Sequence, residues 1–205
     1  QALTAIIVIA HYRCLQAFHG ALQKASMQRD ADGTTVAPMN APLPTAAPSP
    51  QERAARQDQV VQALLQVLPA QALLWHTEDT TPYECDGLTA YRQRPLVVCL
   101  PETEAQVQAV LRTCHRLGVP VVARGTGTGL SGGAMPHAMG VILSLARFNR
   151  ILAIDPASRT ARVQCGVRNL AISEAAAPYG LYYAPDPSSQ IACTIGGNVA
   201  ENSGG

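Results

Sequence analysis

The stretch Val121-Val122-Ala123-Arg124-Gly125-Thr126-Gly127-Thr128-Gly129-Leu130-Ser131-Gly132-Gly133 decides the fold. An apolar, β-branched run over 119–123 predicts a buried strand, and the chain leaves it through alternating glycines. Glycine lacks the Cβ that would hold a ligand off the backbone, and it accepts φ > 0 at little cost. Successive peptide N–H groups can then converge on an anion, with the hydroxyls of Thr126, Thr128 and Ser131 as further donors. A phosphate or diphosphate is the expected ligand. A Walker A loop is excluded, because no lysine stands in the loop. Gly127, Gly129 and Gly132 match G-x-G-x-x-G by letter, but a Rossmann site needs a helix that starts inside the loop. Residues 132–140, with Pro136 among three glycines, are too rich in helix breakers for that. The reading left beside the anion nest is a glycine-rich surface loop without a ligand.

Working outward, the apolar run 96–100 predicts a strand buried on both faces. Thr103 and Gln106 have capping-box spacing, and Val107, Val110, Leu111, Cys114 and Leu117 form one helical stripe that Gly118 and Pro120 close. Cys114 on that stripe reads as a core residue. Strand, helix and strand over so short a span make a βαβ unit with both strands in one parallel sheet. The glycine loop leaves the end of the second strand, where open α/β sheets bind ligands. Residues 141–145, 151–155 and 160–165 read as further strands and 167–179 as a helix. Asp155, just before Pro156, reads first as a turn residue and only second as a ribose carboxylate. Beyond it, Asp186-Pro187-Ser188-Ser189 is a polar turn, and Gly196 and Gly197 beside Thr194 and Asn198 can turn N–H groups toward another part of an extended ligand. Without the upstream loop these would pass for ordinary turns.

The 205 residues are enough for one ordinary domain or two small ones, and 47% hydrophobic content supports a core. With 15 basic residues and a net charge of +1, nothing suggests nucleic-acid binding. Cys14, Cys85, Cys99, Cys114, Cys165 and Cys193 have no zinc or cluster spacing, so no metal is expected, and they read as reduced thiols of a cytoplasmic protein. The chain begins at Gln1, which reads as a processed or missing start. Its first apolar run, 2–10, is far below the roughly 20 residues of a membrane span and lacks a basic flank. It reads as the remnant of an upstream segment or an over-extended start. Pro38, Pro42, Pro44, Pro48 and Pro50 predict a disordered linker, so residues 1–50 are expected as a poorly ordered extension. Residues 51–94 then hold an amphipathic helix with Val60, Val61, Leu64, Leu65 and Leu68 on one face, followed by an irregular lead-in with Trp75 as a packing residue. Residues 95–205 form the third region.

Four motifs in fixed order carry a resemblance: Arg94-Pro95-Leu96-Val97-Val98-Cys99-Leu100-Pro101, the RGTGTGLSGG loop, Ala184-Pro185-Asp186-Pro187-Ser188-Ser189, and Cys193 through Gly205 with Thr194-Ile195-Gly196-Gly197-Asn198 inside it. They resemble the PCMH-type FAD-binding domain of vanillyl-alcohol oxidase-type flavoproteins, and within it the FAD-linked subunit of glycolate oxidases and D-lactate dehydrogenases. The lead-in Tyr83-Glu84-Cys85-Asp86-Gly87 and Tyr91 resemble the same group. The expected fold class is therefore α+β with a βαβ start, the N-terminal part of a PCMH-type fold. The resemblance implies an FAD-dependent oxidoreductase that moves a hydride from C2 of a small D-2-hydroxy acid to flavin N5. Electrons would pass to an iron–sulfur subunit or another acceptor, in a cytoplasmic protein that is peripheral to the inner membrane at most. It implies a cofactor set of Arg124, Gly125, Thr126, Gly127, Thr128, Gly129, Leu130, Ser131, Asp186, Pro187, Ser188, Ser189, Thr194, Gly196, Gly197 and Asn198. The diphosphate would lie on the loop and the flavin ring near 196–198. Some relatives attach FAD through a histidine in the loop; Thr128 stands there in this chain, so FAD is expected to be noncovalent. The rest of the FAD domain and a substrate domain would lie downstream, so residues 1–205 alone would bind FAD weakly and turn over nothing. No catalytic base is assigned; His115 and Arg124 are candidates by type only. Other chemistry on the same fold, or a noncatalytic flavin-binding fragment, are the alternatives.

Overall fold

The structure is a computed structural model and describes residues 4–10 and 48–205. In chain order its elements are β1 (Thr4–Ala10), α1 (Pro50–Leu64), β2 (Leu73–Leu74), the one-turn α2 (Thr77–Thr80), β3 (Val97–Cys99), α3 (Glu104–Leu117), β4 (Val121–Arg124), β5 (Val141–Ser144), β6 (Ile151–Asp155), β7 (Thr160–Val163), α4 (Asn169–Ala176), β8 (Leu181–Tyr183) and α5 (Ile195–Ala200). Two four-stranded sheets result, in the orders β2-β3-β5-β4 and β6-β7-β1-β8.

The first sheet grows from the βαβ unit. Val97, Val98 and Cys99 of β3 are fully buried, as a strand covered on both faces must be. Thr103 and Gln106 cap α3 reciprocally, and Gly118 ends it at φ 61°. Its face places Val107, Val110 and Cys114 in the core. Burial lifts the Cys114 thiol to about 11 and the Cys99 thiol well above its usual range, so both are inert packing groups. β5 inserts between β3 and β4, parallel to each, with Val141 opposite both Val97 and Val121. Among the described residues β4 is therefore an edge strand. Its Val121 and Val122 are only half-buried and Ala123 is exposed, which corrects the expectation of a buried strand.

Helix α1 starts one residue before the expected position, with Ser49 and Glu52 as a complete capping box and Pro50 in the first turn. Arg53 donates to the carbonyls of Ala138, Arg94 and Pro95, and Gln57 to those of Trp75 and Leu96. Val60, Leu64 and Leu73 share one hydrophobic cluster with β3, α3 and β5. Residues 50–74 thus belong to the same core as the region that begins at Pro95.

A second cluster gathers Ala161, Val163, Val167, Ile172, Ala176, Leu181 and Ile195 around α4. β6 and β7 form an antiparallel hairpin, and Asp155 closes its turn by accepting from the Ala157 and Ser158 N–H groups and the Ser158 hydroxyl. The turn reading of Asp155 holds. β1 lies parallel between β7 and β8 and pairs with both. This departs from the expected unstructured extension: the β-branched run Ile6-Ile7-Val8-Ile9 suits a strand. The expected linker, 30–50, lies outside the described residues up to 47, and at its end Ser49 and Pro50 cap and open α1.

Candidate functional site

A cavity of about 530 Å³ opens between the glycine loop and the start of α5. That is a normal size for a small-molecule site. The loop contributes Arg124, Gly125, Thr126, Gly127, Thr128 and Gly129 to its wall, and the second stretch contributes Pro187, Ser189, Thr194, Gly196, Gly197 and Asn198. Leu130, Ser131, Asp186 and Ser188, expected with them, stand outside the wall. Leu130 is exposed, Ser131 is occupied by a neighbour described below, and the Asp186 N–H donates to the Gly204 carbonyl. Cys165, Cys193 and Glu201 also line the cavity, although the sequence reading gave them no role there. The last two lie inside or beside the quoted glycine motif.

No helix begins within residues 125–140, so the Rossmann alternative falls. Gly127 and Gly132 take φ of 75° and 80°, the left-handed region that lets consecutive N–H groups converge. None of the N–H groups of residues 125–131 is taken up by a hydrogen bond among the described residues. A row of free donors on a cavity wall is what a diphosphate requires.

The two stretches touch directly. A Cβ on Gly125 would collide with the Thr194 hydroxyl, and one on Gly133 with the Glu201 carboxylate. Ser131 Oγ donates to Glu201 Oε2 at 2.7 Å. Glycine is needed at 125 for close approach of backbone to side chain, not for an unusual φ.

Residues 194–198, read as a glycine stretch facing the ligand, form the cap and first turn of α5, with Thr194 at the cap. Gly196 was expected to aim its N–H at a ligand. That N–H donates to the Cys165 carbonyl at 2.8 Å, and a Cβ on Gly196 would stand 2.8 Å from both Cβ and O of Cys165. Its small size serves packing. Asn198 is nine-tenths buried beside the cavity, and its Nδ2 has no partner among the described residues. A buried donor left open costs about 1–3 kcal/mol, so the site suits a ligand with an acceptor at that end.

Arg124 was expected to face the diphosphate. Its guanidinium packs beneath Gly127, donates to the Cys85 carbonyl at 2.7 Å and lies 5.5 Å from the Tyr83 ring centre. Burial pulls its pKa below the usual value against the opposing pull of Cys85, Tyr83 and Asp86. His115 is an exposed residue of α3 and does not reach the cavity. His137 lies off the wall too, its Nδ1 accepting from the Met139 N–H at 3.1 Å. Among the described residues no group of His, Cys, Asp and Glu could hold a metal ion, and no helix is long and apolar enough to cross a membrane.

Comparison with known proteins agrees with this geometry. Glycolate oxidase subunit GlcD of Escherichia coli (strain K12) is 64% identical over 146 residues, covering 71% of this chain and 29% of that protein. D-lactate dehydrogenase of Anaerostipes hadrus is 33% identical over 148 residues, covering 72% of this chain and 31% of that protein. The chain thus spans less than a third of the length of these curated relatives. A p-cresol methylhydroxylase structure superposes on 64% of this chain and 27% of its own, with a TM-score of 0.54 at 24% identity, a likeness of fold alone. The fold is the mixed helix-and-strand, PCMH-type architecture. Residues 95–205 match the family described as FAD binding domain, and the chain belongs to it.

Proposed function

We propose that this chain is the nucleotide-binding part of an FAD-dependent oxidoreductase that acts on a small D-2-hydroxy acid of the glycolate or D-lactate type. The observation that supports the reading is the cavity wall itself, with the free N–H groups of 125–129 at one end and the unpartnered Asn198 amide at the other. Gly125, Thr126, Gly127, Thr128 and Gly129 would hold the diphosphate. Thr194, Gly197 and Asn198 would hold the far end of the cofactor, with Asn198 Nδ2 donating. Bound FAD supplies a two-electron acceptor for a hydride from C2 of the hydroxy acid. The substrate class follows the names of the relatives above. With that reading go transfer of electrons to an iron–sulfur subunit or another acceptor and a cytoplasmic, at most membrane-peripheral, location.

Among the described residues neither His137 nor any other histidine lines the cavity, which supports noncovalent attachment. The protein should purify yellow and release all its flavin on acid or heat treatment; flavin that stays with the polypeptide on a denaturing gel would refute this. Dye-reduction assays with glycolate and D-lactate on the full-length protein test the substrate class. Turnover of neither acid by flavin-loaded enzyme would overturn it.

A further inference from the structure

We propose that the lead-in segment, residues 83–88, is part of the nucleotide site: it braces the glycine loop from behind, with Arg124 as the connecting post. The proposal deepens the FAD reading and rests on it. Residues 83–88 precede the region that matches the family and do not line the cavity, so neither of those marks them as site residues.

Two independent contacts join the segment to the loop. The Gly87 N–H donates to the Gly129 carbonyl at 2.9 Å. A Cβ on Gly87 would stand 2.8 Å from the carbonyl oxygens of Thr128 and Gly129 and 3.0 Å from Leu130 Cδ2. The loop therefore lies against the bare face of Gly87. Arg124 makes the second contact, with Nη1 on the Cys85 carbonyl, its guanidinium carbon over the Tyr83 ring and its Nη2 in the space beneath Gly127. Asp86 Oδ1 accepts from the Leu88 N–H at 2.9 Å and fixes the turn that presents Gly87.

Peptide planarity turns these contacts into control of the donors. In a trans peptide the C=O and the following N–H point in opposite directions. Holding the carbonyls of Thr128 and Gly129 on Gly87 turns the N–H groups of Gly129 and Leu130 away from it. Arg124 limits how far Gly127 can sink. The brace thus sets the direction of the loop donors without touching the ligand, which makes Tyr83, Gly87 and Arg124 positioning residues.

The test compares FAD with riboflavin, which lacks both phosphates, by titrating the apo-form of the full-length protein. Gly87→Ala should weaken FAD binding about tenfold, the scale of one weakened hydrogen bond to a charged group, while riboflavin binding stays unchanged. Tyr83→Leu should act in the same direction and Tyr83→Phe should behave as wild type, since it keeps the ring beneath the guanidinium. If Gly87→Ala and Tyr83→Leu weaken both flavins equally, or neither, the segment is ordinary packing and the proposal fails. A wild-type protein that binds riboflavin as tightly as FAD would instead refute the diphosphate nest, and the brace with it.

Discussion

Replacing Gly127 with valine is expected to leave the protein colourless. The residue sits at φ 75°, and a Cβ there would fall within the Arg124 guanidinium. A β-branched side chain in left-handed backbone costs on the order of 1–3 kcal/mol. The loop must also move off Arg124, which misdirects donors worth roughly 1.5–3 kcal/mol each when they face a charged ligand. About 4 kcal/mol in sum corresponds to roughly a thousandfold loss of FAD affinity. The ratio of flavin to protein absorbance after purification reads this directly. Stoichiometric FAD in Gly127→Val would show that the diphosphate lies elsewhere.

The second large effect separates the neighbours Gly196 and Gly197. Gly196→Val forces a side chain onto Cys165 and strains the hydrogen bond from its N–H to the Cys165 carbonyl. Overpacking of about 1–3 kcal/mol plus a hydrogen bond of about 1 kcal/mol predicts a fall in melting temperature on the order of 10 °C. At Gly197 the nearest atom to a new Cβ is Thr194 Oγ1 at 3.6 Å, an ordinary contact. Gly197→Val should melt near wild type and lose FAD affinity, because the residue lines the cavity. Thermal melts alongside FAD titrations decide the matter. Equal melting temperatures for the two variants would contradict this division of roles.

What the sequence disclosed followed the range of each signal. The boundaries of α3 were legible because Thr103, Gln106 and Gly118 act on backbone groups within a turn of themselves. The same signal at Ser49 and Glu52 was present but hidden among prolines that pointed to a linker. Strand order was not legible: the insertion of β5 between β3 and β4 is a nonlocal choice, and it alone turns β4 into an edge. The β-pattern of residues 4–10 was visible as an apolar run, but its partners in β7 and β8 lie far along the chain. The glycine stretches announced a site without saying what each glycine does. Gly127 is conformational, Gly125 and Gly196 are steric, and only neighbours distant in sequence, Thr194 and Cys165, distinguish the two cases. Arg124 had the right charge for a phosphate, yet burial beside Tyr83 and Cys85 fixed its direction.

The hydrophobic interior is split, with one cluster on β3, β5, α1 and α3 and another around α4, and the cavity wall takes residues from the glycine loop on one side and from α5 on the other. A ligand that spans this wall bridges the two clusters, so occupancy would couple their unfolding. At a ligand concentration a hundred times Kd, binding adds about 2.7 kcal/mol to the native state. That increment is lost whenever either unit opens alone. Local opening of either half in the loaded protein would therefore cost that increment in addition to the contacts the half itself gives up. Flavin content would then govern the lifetime of the polypeptide against proteolysis as well as its chemistry.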